Sequence, residues 1–454
     1  MMGITVVGTG YVGLVAGACF AKLGQSVTCV ESDSAKLEAL RHGKLPIHEP
    51  HLKELVTAHI HNNLHFTRHP KAGVMASDIV ILAVGTPPKA DGSADLSQLF
   101  NAARQLAPYL NPHTNVVIKS TVPVGTAAAL RQLLARLRPG LKLNIVSNPE
   151  FLREGCAVQD FLKPDRIVIG STATAYLDPI LRAYAPLQKS GVPIATMSNE
   201  AAEMCKYGSN TYLAMRVAFI NELSNLCEAV GADIESVTQG MGLDRRIGQH
   251  YLKPGPGFGG SCFPKDTSAL LAMADAAHVD FCIGRAVVLA NEQRKNDLAG
   301  RVARALGGVL TRKTIAVLGL AFKANTDDTR DSAAIQLVQD LQARGAIVKA
   351  YDPAAKPKGL GDVALCNSLP EALAGADAAV IATEWDEFRK MNLVDIVKQL
   401  KKPVLVDFRN LFNLRQARAA GLSYYSLGRA TVRNAGTSKQ RRASKTKIKL
   451  TAIA

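Results

Sequence analysis

Six residues, Gly8-Thr9-Gly10-Tyr11-Val12-Gly13, stand between an apolar run, GITVVG, and a stretch that reads as a helix, YVGLVAGACFAKLG. A glycine turn of this spacing between a strand and a helix lets the chain reverse tightly, lets a pyrophosphate approach the backbone, and lets helix and strand pack closely. The pattern is weak alone. Here a second apolar run, SVTCVE, ends on Glu31, at about the distance where an acidic residue binds the adenosine ribose. Its carboxylate accepts from the ribose hydroxyls and repels a 2′-phosphate, which predicts NAD and not NADP. Asp33 is a rival for that role, and Lys36 stands close enough to serve the ribose or a phosphate.

The same rhythm continues. DIVILAVGTP, NVVIKSTVP and LNIVSNPE read as strands with helical stretches between them, and alternation of this kind predicts a parallel, doubly wound sheet. Apolar residues then recur at helical spacing from Asn199 through Glu228 without a proline, and more helix is expected from Lys265 to about Ala305. KTIAVLGLAF, AIVKAYDP, AAVIATEW and PVLVDFRN restore the alternation. The expected fold is therefore α/β, two Rossmann-type parallel-sheet domains joined by a central helical segment. The expected division is 1–198 for NAD binding, 199–305 central, 306–430 for a nucleotide sugar, and 431–454 a basic, disordered tail. The second lobe opens on Gly319-Leu320-Ala321-Phe322-Lys323 and lacks the first lobe's glycine fingerprint, so a mononucleotide is expected there.

Bulk properties narrow the function. The chain has 454 residues, is 47% hydrophobic and carries a formal net charge of +16. Its eight cysteines form no CxxC and no metal-ligand spacing, which excludes a disulfide framework and a zinc site and suits a reducing cytoplasm. No apolar run has the length of a membrane span, and a strand expected from Gly3 leaves no room before it for a signal peptide. From Arg429 onward the chain is basic without an acidic residue and supplies half the net charge, so a polyanion contact is one reading of this terminus.

Several local patterns carry chemistry. Gly257-Phe258-Gly259-Gly260-Ser261-Cys262-Phe263-Pro264-Lys265-Asp266 places a cysteine just before an expected helix, where amide dipoles stabilise a thiolate. Glu150 and Glu154 stand four apart in NPEFLREG, and Lys206 and Asn210 share one helix face. Lys323 precedes the run Asp327-Asp328-Thr329-Arg330, and Arg409 follows the last strong strand. Singly, each fits a bland account: a buried thiol, a solvated ion pair, a surface lysine, a loop arginine.

Together the ordered motifs GTGYVG, GTP (Gly85–Pro87), STVPVGT, NPEFLREG, PDRIVIG, GLDRRIG, PGPGFGGSCFPKD, LGLAFK, TDDTR and DFRN resemble the UDP-glucose 6-dehydrogenase family from Gly3 to about Asn410. One departure is local: Asp331-Ser332-Ala333-Ala334 follows Arg330 where the family often has a proline. The resemblance implies a four-electron oxidation of UDP-glucose to UDP-glucuronate with two NAD, through a thiohemiacetal and a thioester on Cys262. It implies that Lys206 and Asn210 hold the oxyanion, that Asp266 orients water and acts as base, and that Glu150, with Thr121, serves thioester hydrolysis. It places Gly8, Gly10, Tyr11, Val12, Gly13, Glu31, Lys36, Thr86, Thr121, Glu154, Lys265 and Arg330 at the cofactor. It places Glu150, Phe151, Leu152, Lys206, Asn210, Tyr251, Gly259, Phe322, Lys323 and Arg409 at the sugar nucleotide, with Arg245 reaching in from a neighbouring subunit of a homodimer or higher oligomer. A GDP-mannose 6-dehydrogenase would use the same constellation. A two-electron dehydrogenase would need no cysteine, and a non-catalytic nucleotide binder would need no constellation at all.

Overall fold

A computed structural model describes residues 2–112, 114–173 and 176–434. Fourteen strands form two sheets. The first holds β1 (Gly3–Val7), β2 (Ser26–Val30), β3 (Leu64–Thr67), β4 (Ile79–Leu82), β5 (Asn115–Ile118), β6 (Asn144–Ser147), β7 (Ile167–Gly170) and β8 (Ile194–Met197), in the order β3-β2-β1-β4-β5-β6-β7-β8. The second holds β9 (Thr314–Leu318), β10 (Ile347–Tyr351), β11 (Ala364–Leu365), β12 (Ala378–Ile381), β13 (Val404–Asp407) and β14 (Ser423–Ser426), in the order β11-β10-β9-β12-β13-β14. The central strands are apolar end to end because helices cover both faces of a parallel sheet; every residue of β4 and β12 is buried.

Each sheet reverses its winding direction once, between β1 and β4 in the first and between β9 and β12 in the second. Loops at the carboxyl ends of these strands splay apart, which opens a ligand crevice there. The two-sheet α/β fold is the one expected. One strand pair departs from it: β7 meets β6 antiparallel, at Ser147 opposite Gly170, so β7 and β8 run against the rest of their sheet.

Among the described residues three long helices and the shorter Ile234–Leu243 connect the two sheets. The first, Asn199–Val230, is capped by the Ser198 hydroxyl at its start and ends on Gly231 in the left-handed region. Its 32 residues make it about 48 Å long. The second and third, Phe263–Ala276 and Cys282–Ala305, pack against it and replace the unbroken stretch expected from Lys265. The break is a turn in which His278 adopts a positive φ of 55°.

Arg429 belongs to the fold and not to a tail. Its buried guanidinium bonds Ser426, the Phe412 carbonyl, the Tyr424 hydroxyl and Glu235. Val432 then bridges Tyr424 through two backbone bonds of 2.8 and 3.0 Å. From residue 435 the expected tail lies outside the described residues. Among the described residues no helix is long and apolar enough to cross a membrane, and no three His, Cys, Asp or Glu side chains cluster as a metal site would need.

Candidate active site

The first crevice is built by strand register. β1 and β2 end level, with Val7 opposite Val30, so the glycine turn and Glu31 leave the sheet side by side. The Gly8 amide bonds the Val30 carbonyl at 3.0 Å, and the Thr9 hydroxyl bonds Glu31 at 2.5 Å. Gly13 has no room for a side chain, since a Cβ there would stand 1.9 Å from the Gly8 carbonyl oxygen, whereas Gly10 faces open space. This is a cradle closed on its helix side and open toward the crevice, and it fits a dinucleotide pyrophosphate. Burial alone would raise Glu31, but the Thr9 hydroxyl, the Asp33 amide and Lys36, at 2.9 Å, bring it down to about 2. Asp33, the rival, instead caps the next helix through the Lys36 amide. Val12 follows in the first helix, and the Tyr11 hydroxyl accepts a 2.7 Å bond from the Gly155 amide. Thr86 donates to the Thr121 carbonyl at 2.9 Å, joining the ends of β4 and β5.

A cavity of about 900 Å³ runs from this lobe to the second. Cys262 lines it from the N-cap of the Phe263–Ala276 helix, with Pro264 in the first turn. The helix start is where the sequence places it. The thiolate expected there is opposed, because burial pushes the Cys262 thiol up to about 11 and the carboxylates of Glu150 and Asp266 add to this. Lys206 and the Ser261 hydroxyl, 3.6 Å from the sulfur, pull the other way. Amide dipoles at one helix end do not overcome desolvation plus two anions.

The central helix delivers Lys206 and Asn210 one turn apart, both buried. Lys206 bonds Glu150 at 2.9 Å, and Glu150 also accepts from the Leu152 amide, which folds the NPEFL segment over its own carboxylate. Burial would lower Lys206, but Glu150, Cys262 and Asp266 around it outweigh burial and leave it above its ordinary value. The Phe151 ring lies 5.4 Å from the Lys206 ammonium and carries the Arg166 guanidinium on its face at 3.7 Å. Asp266 is fully buried, with its two oxygens taken by Asn210 at 2.6 Å and Lys265 at 2.5 Å. In this arrangement Asp266 holds the Asn210 amide in place. Lys265 correspondingly faces Asp266.

Across the seam, the Gly260 amide bonds the Arg330 carbonyl at 2.9 Å. A Cβ on Gly259 would lie 2.2 Å from the Asp331 carbonyl oxygen, and one on Gly260 would lie 2.7 Å from the Phe322 ring. The glycine run is thus what lets the lobes close. Glu154 stands in the same seam. It accepts from Ser261 at 2.7 Å and Thr326 at 3.4 Å, with Arg330 3.7 Å away and itself paired to Asp328. Burial, then Asp328, pushes Glu154 up to about 7.

Lys323 lines the cavity with no hydrogen-bond or ion-pair partner among the described residues, only the Phe322 ring at 5.3 Å. Burial lowers its pKa, and the carboxylates of Glu154 and Glu384 oppose this without bonding the ammonium. Arg409 enters from the end of β13, fixed by the carbonyls of Ala382 at 2.9 Å and Phe322 at 3.1 Å. Tyr251 reaches the cavity from a backbone at φ 60°. In the second lobe Asp352 matches Glu31 by position at the end of its strand. It is consumed by the amides of Leu320 and Ala321 and by Trp385, which leaves no carboxylate for a ribose.

The structure therefore gathers Glu150, Phe151, Leu152, Glu154, Lys206, Asn210, Tyr251, Gly259, Cys262, Phe322, Lys323 and Arg409 on one cavity. Thr121 and Arg245 do not line it; Arg245 is exposed on the loop after the Ile234–Leu243 helix. Sequence reading missed Lys119, Asn148, Arg166 and Tyr184, which also line it. The available signal was a lysine directly after the apolar run Val116-Val117-Ile118 and directly before STVPVGT.

Residues 2–188 match the NAD binding domain of the UDP-glucose/GDP-mannose dehydrogenase family, residues 200–293 its central domain, and residues 316–414 its UDP binding domain. The chain is 45% identical to a UDP-glucose 6-dehydrogenase of Rhizobium meliloti (strain 1021), over 94% of this chain and 100% of that protein. It is 44% identical to the UDP-glucose 6-dehydrogenase TuaD of Bacillus subtilis (strain 168), over 95% of this chain and 94% of that one. A solved UDP-glucose dehydrogenase from Pyrobaculum islandicum superposes with a TM-score of 0.87 at 37% identity, over 95% of this chain and 98% of that chain.

Proposed function

Since the chain belongs to the UDP-glucose/GDP-mannose dehydrogenase family, we propose that it oxidises the C6 alcohol of UDP-glucose twice, to UDP-glucuronate. The observation that carries this reading is the convergence of Cys262, the Lys206–Glu150 pair and Asn210, held from behind by Asp266, on one cavity that ends at Lys323 and Arg409. NAD, when bound, supplies the acceptor for both hydrides.

Cys262 has the chemistry to trap the aldehyde left by the first oxidation. Its sulfur forms a bond to C6 as the second C–O bond breaks onto oxygen, and the thiol proton passes to that oxygen, which completes a neutral thiohemiacetal. The Lys206 ammonium and the Asn210 amide face that oxygen and stabilise the charge it carries before the proton arrives. The second oxidation leaves a thioester on Cys262. Water then breaks the S–C6 bond and restores the thiol, with Glu150 as the base that takes the water proton. Lys323, with no direct hydrogen-bond or ion-pair partner among the described residues, and Arg409 suit the diphosphate and sugar. Glu31 suits the adenosine ribose diol.

A homodimer is part of this reading. Tyr212, Phe219 and Leu226 recur every seven residues along the central helix and stay 55%, 51% and 56% exposed. Large apolar side chains in one stripe suit a second copy of this chain.

The test is stoichiometric. UDP-glucose supplied in limiting amount should yield two NADH per sugar at completion. One NADH per sugar would sink the covalent route, and turnover of GDP-mannose in preference to UDP-glucose would move the substrate.

A further inference from the structure

Lys119 ends β5 at the floor of the cavity, is 3% exposed, and is used by none of the steps above. Its ammonium reaches the Asn148 side-chain oxygen at 3.1 Å, the Asn148 carbonyl at 3.5 Å and the Tyr184 hydroxyl at 3.4 Å. Tyr184 donates to the same Asn148 oxygen at 2.7 Å, and the Asn148 amide is tied to the Val168 carbonyl at 2.8 Å. Asn148 stands two residues before Glu150. We propose that Lys119 is a positioning residue of this site: it anchors the Asn148–Glu150 segment and, with Lys206, flanks the Glu150 carboxylate with positive charge. The inference rests on Glu150 acting as the hydrolytic base.

The argument is one of charge count. Glu150 is the carboxylate that both buried ammoniums, Lys119 and Lys206, face, while buried Asp266 faces Lys206 and not Lys119. Lys206 holds the direct bond to Glu150, which leaves Lys119 with neutral dipoles as contacts. The groups facing Lys119 are Asn148 and Glu150 after β6, Lys206 on the central helix, Tyr184 on the Asp178–Lys189 helix, and the Phe161 ring at 5.8 Å on the Ala157–Leu162 helix. Burial lowers Lys119 to about 8, with Glu150 opposing and Lys206 adding to the shift. Lys119 therefore changes charge inside the working pH range of a dehydrogenase. While charged it is a second cation facing the Glu150 carboxylate; once neutral it leaves Lys206 as the cation there.

The test compares wild type with Lys119→Met in steady-state kinetics from about pH 6.5 to 10. At neutral pH the variant should lose at least about tenfold in kcat, with KM for NAD within about threefold, as expected when only the chemical step suffers. Above pH 9 or so the wild-type curve should converge on the variant, because wild-type Lys119 is then neutral as well. Lys119→Arg, which stays charged, should track wild type at neutral pH without that alkaline fall. Parallel curves for wild type and Lys119→Met would overturn the inference. Thermal unfolding supplies an arm that needs no substrate. A lysine near 8 when folded and 10.5 when unfolded makes stability rise with pH between those values. The wild-type midpoint should therefore rise relative to Lys119→Met over that window, and a constant difference would also overturn the inference. A wild-type enzyme that makes no NADH from UDP-glucose defeats the substrate reading instead and leaves the unfolding result to judge Lys119.

Discussion

The Lys206 ammonium lies 2.9 Å from the Glu150 carboxylate, and the two side chains are 3% and 5% exposed. A pair this buried is costly to assemble and more costly to break, because either partner alone would be a bare charge out of water. Its place beside Cys262 gives it a second use. The ammonium lowers the thiol pKa while the carboxylate raises it, so the pair sets the reactivity of the sulfur between them.

Replacing Cys262 with serine should separate binding from chemistry. Lys206, Asn210 and Glu150 remain, so UDP-glucose and NAD should still bind. A hydroxyl is a far weaker nucleophile than a thiol, and turnover should fall at least about a thousandfold, roughly 4 kcal/mol. Adding the C6 aldehyde should not rescue the variant. Near wild-type formation of UDP-glucuronate would refute the covalent route.

The resting thiol should be protonated at neutral pH. With Cys262 near 11, its thiolate fraction grows about tenfold per pH unit through 7 to 9, and alkylation by iodoacetamide should accelerate in step. Lys206→Met removes the nearest cation and should slow alkylation at pH 8 further. A rate that levels off near pH 8, measured by mass spectrometry of the Cys262 peptide, would show a thiolate stabilised beyond what this pocket provides.

Cofactor choice should rest on Glu31. Glu31→Ala deletes a charged acceptor for the ribose diol, a loss of about 1.5–3 kcal/mol, or some ten- to a hundredfold in kcat/KM for NAD. The preference over NADP should narrow by at least as much, because Lys36 loses its partner and turns toward a 2′-phosphate. Unchanged discrimination in steady-state kinetics would clear Glu31 of the role.

The lobe seam should carry a pH signature through Glu154. Burial and Asp328 raise this carboxyl from 4.5 to about 7, so the folded chain binds a proton that the unfolded chain has already lost across that window. Its contribution to stability is full below 4.5 and is lost as pH rises through about 7. Glu154→Gln abolishes the dependence, and its unfolding midpoint should gain on wild type as pH rises from about 4.5 to 7. A constant difference over that range would show that Glu154 titrates normally.

Much of the site was legible because its chemistry is local in the chain. Gly8 to Gly13, Glu31, the NPEFLREG segment and the run through Cys262 are short stretches whose spacing alone restricts what they can bind. Lys119 escaped notice for the opposite reason. A lysine after an apolar strand looks like a strand end meeting solvent, and only the fold brings Tyr184, from a helix 65 residues away, over its amine. Asp266 shows the same limit: the resemblance implies a water-orienting base there, and only the fold shows that Asn210 and Lys265 donate to its two oxygens.

By itself the sequence determined the two α/β lobes and the dinucleotide turn. Buried parallel strands demand unbroken apolar runs, and tight turns demand glycine at particular steps, so these requirements are written residue by residue. Only the tertiary structure decided that β7 and β8 run against their sheet, that Arg429 is buried and not part of a tail, and that Cys262 rests as a thiol. Strand direction at a sheet's edge, burial of a long cation and the pKa of a thiol all depend on which groups from distant parts of the chain come within a few ångströms, and on how much water they displace.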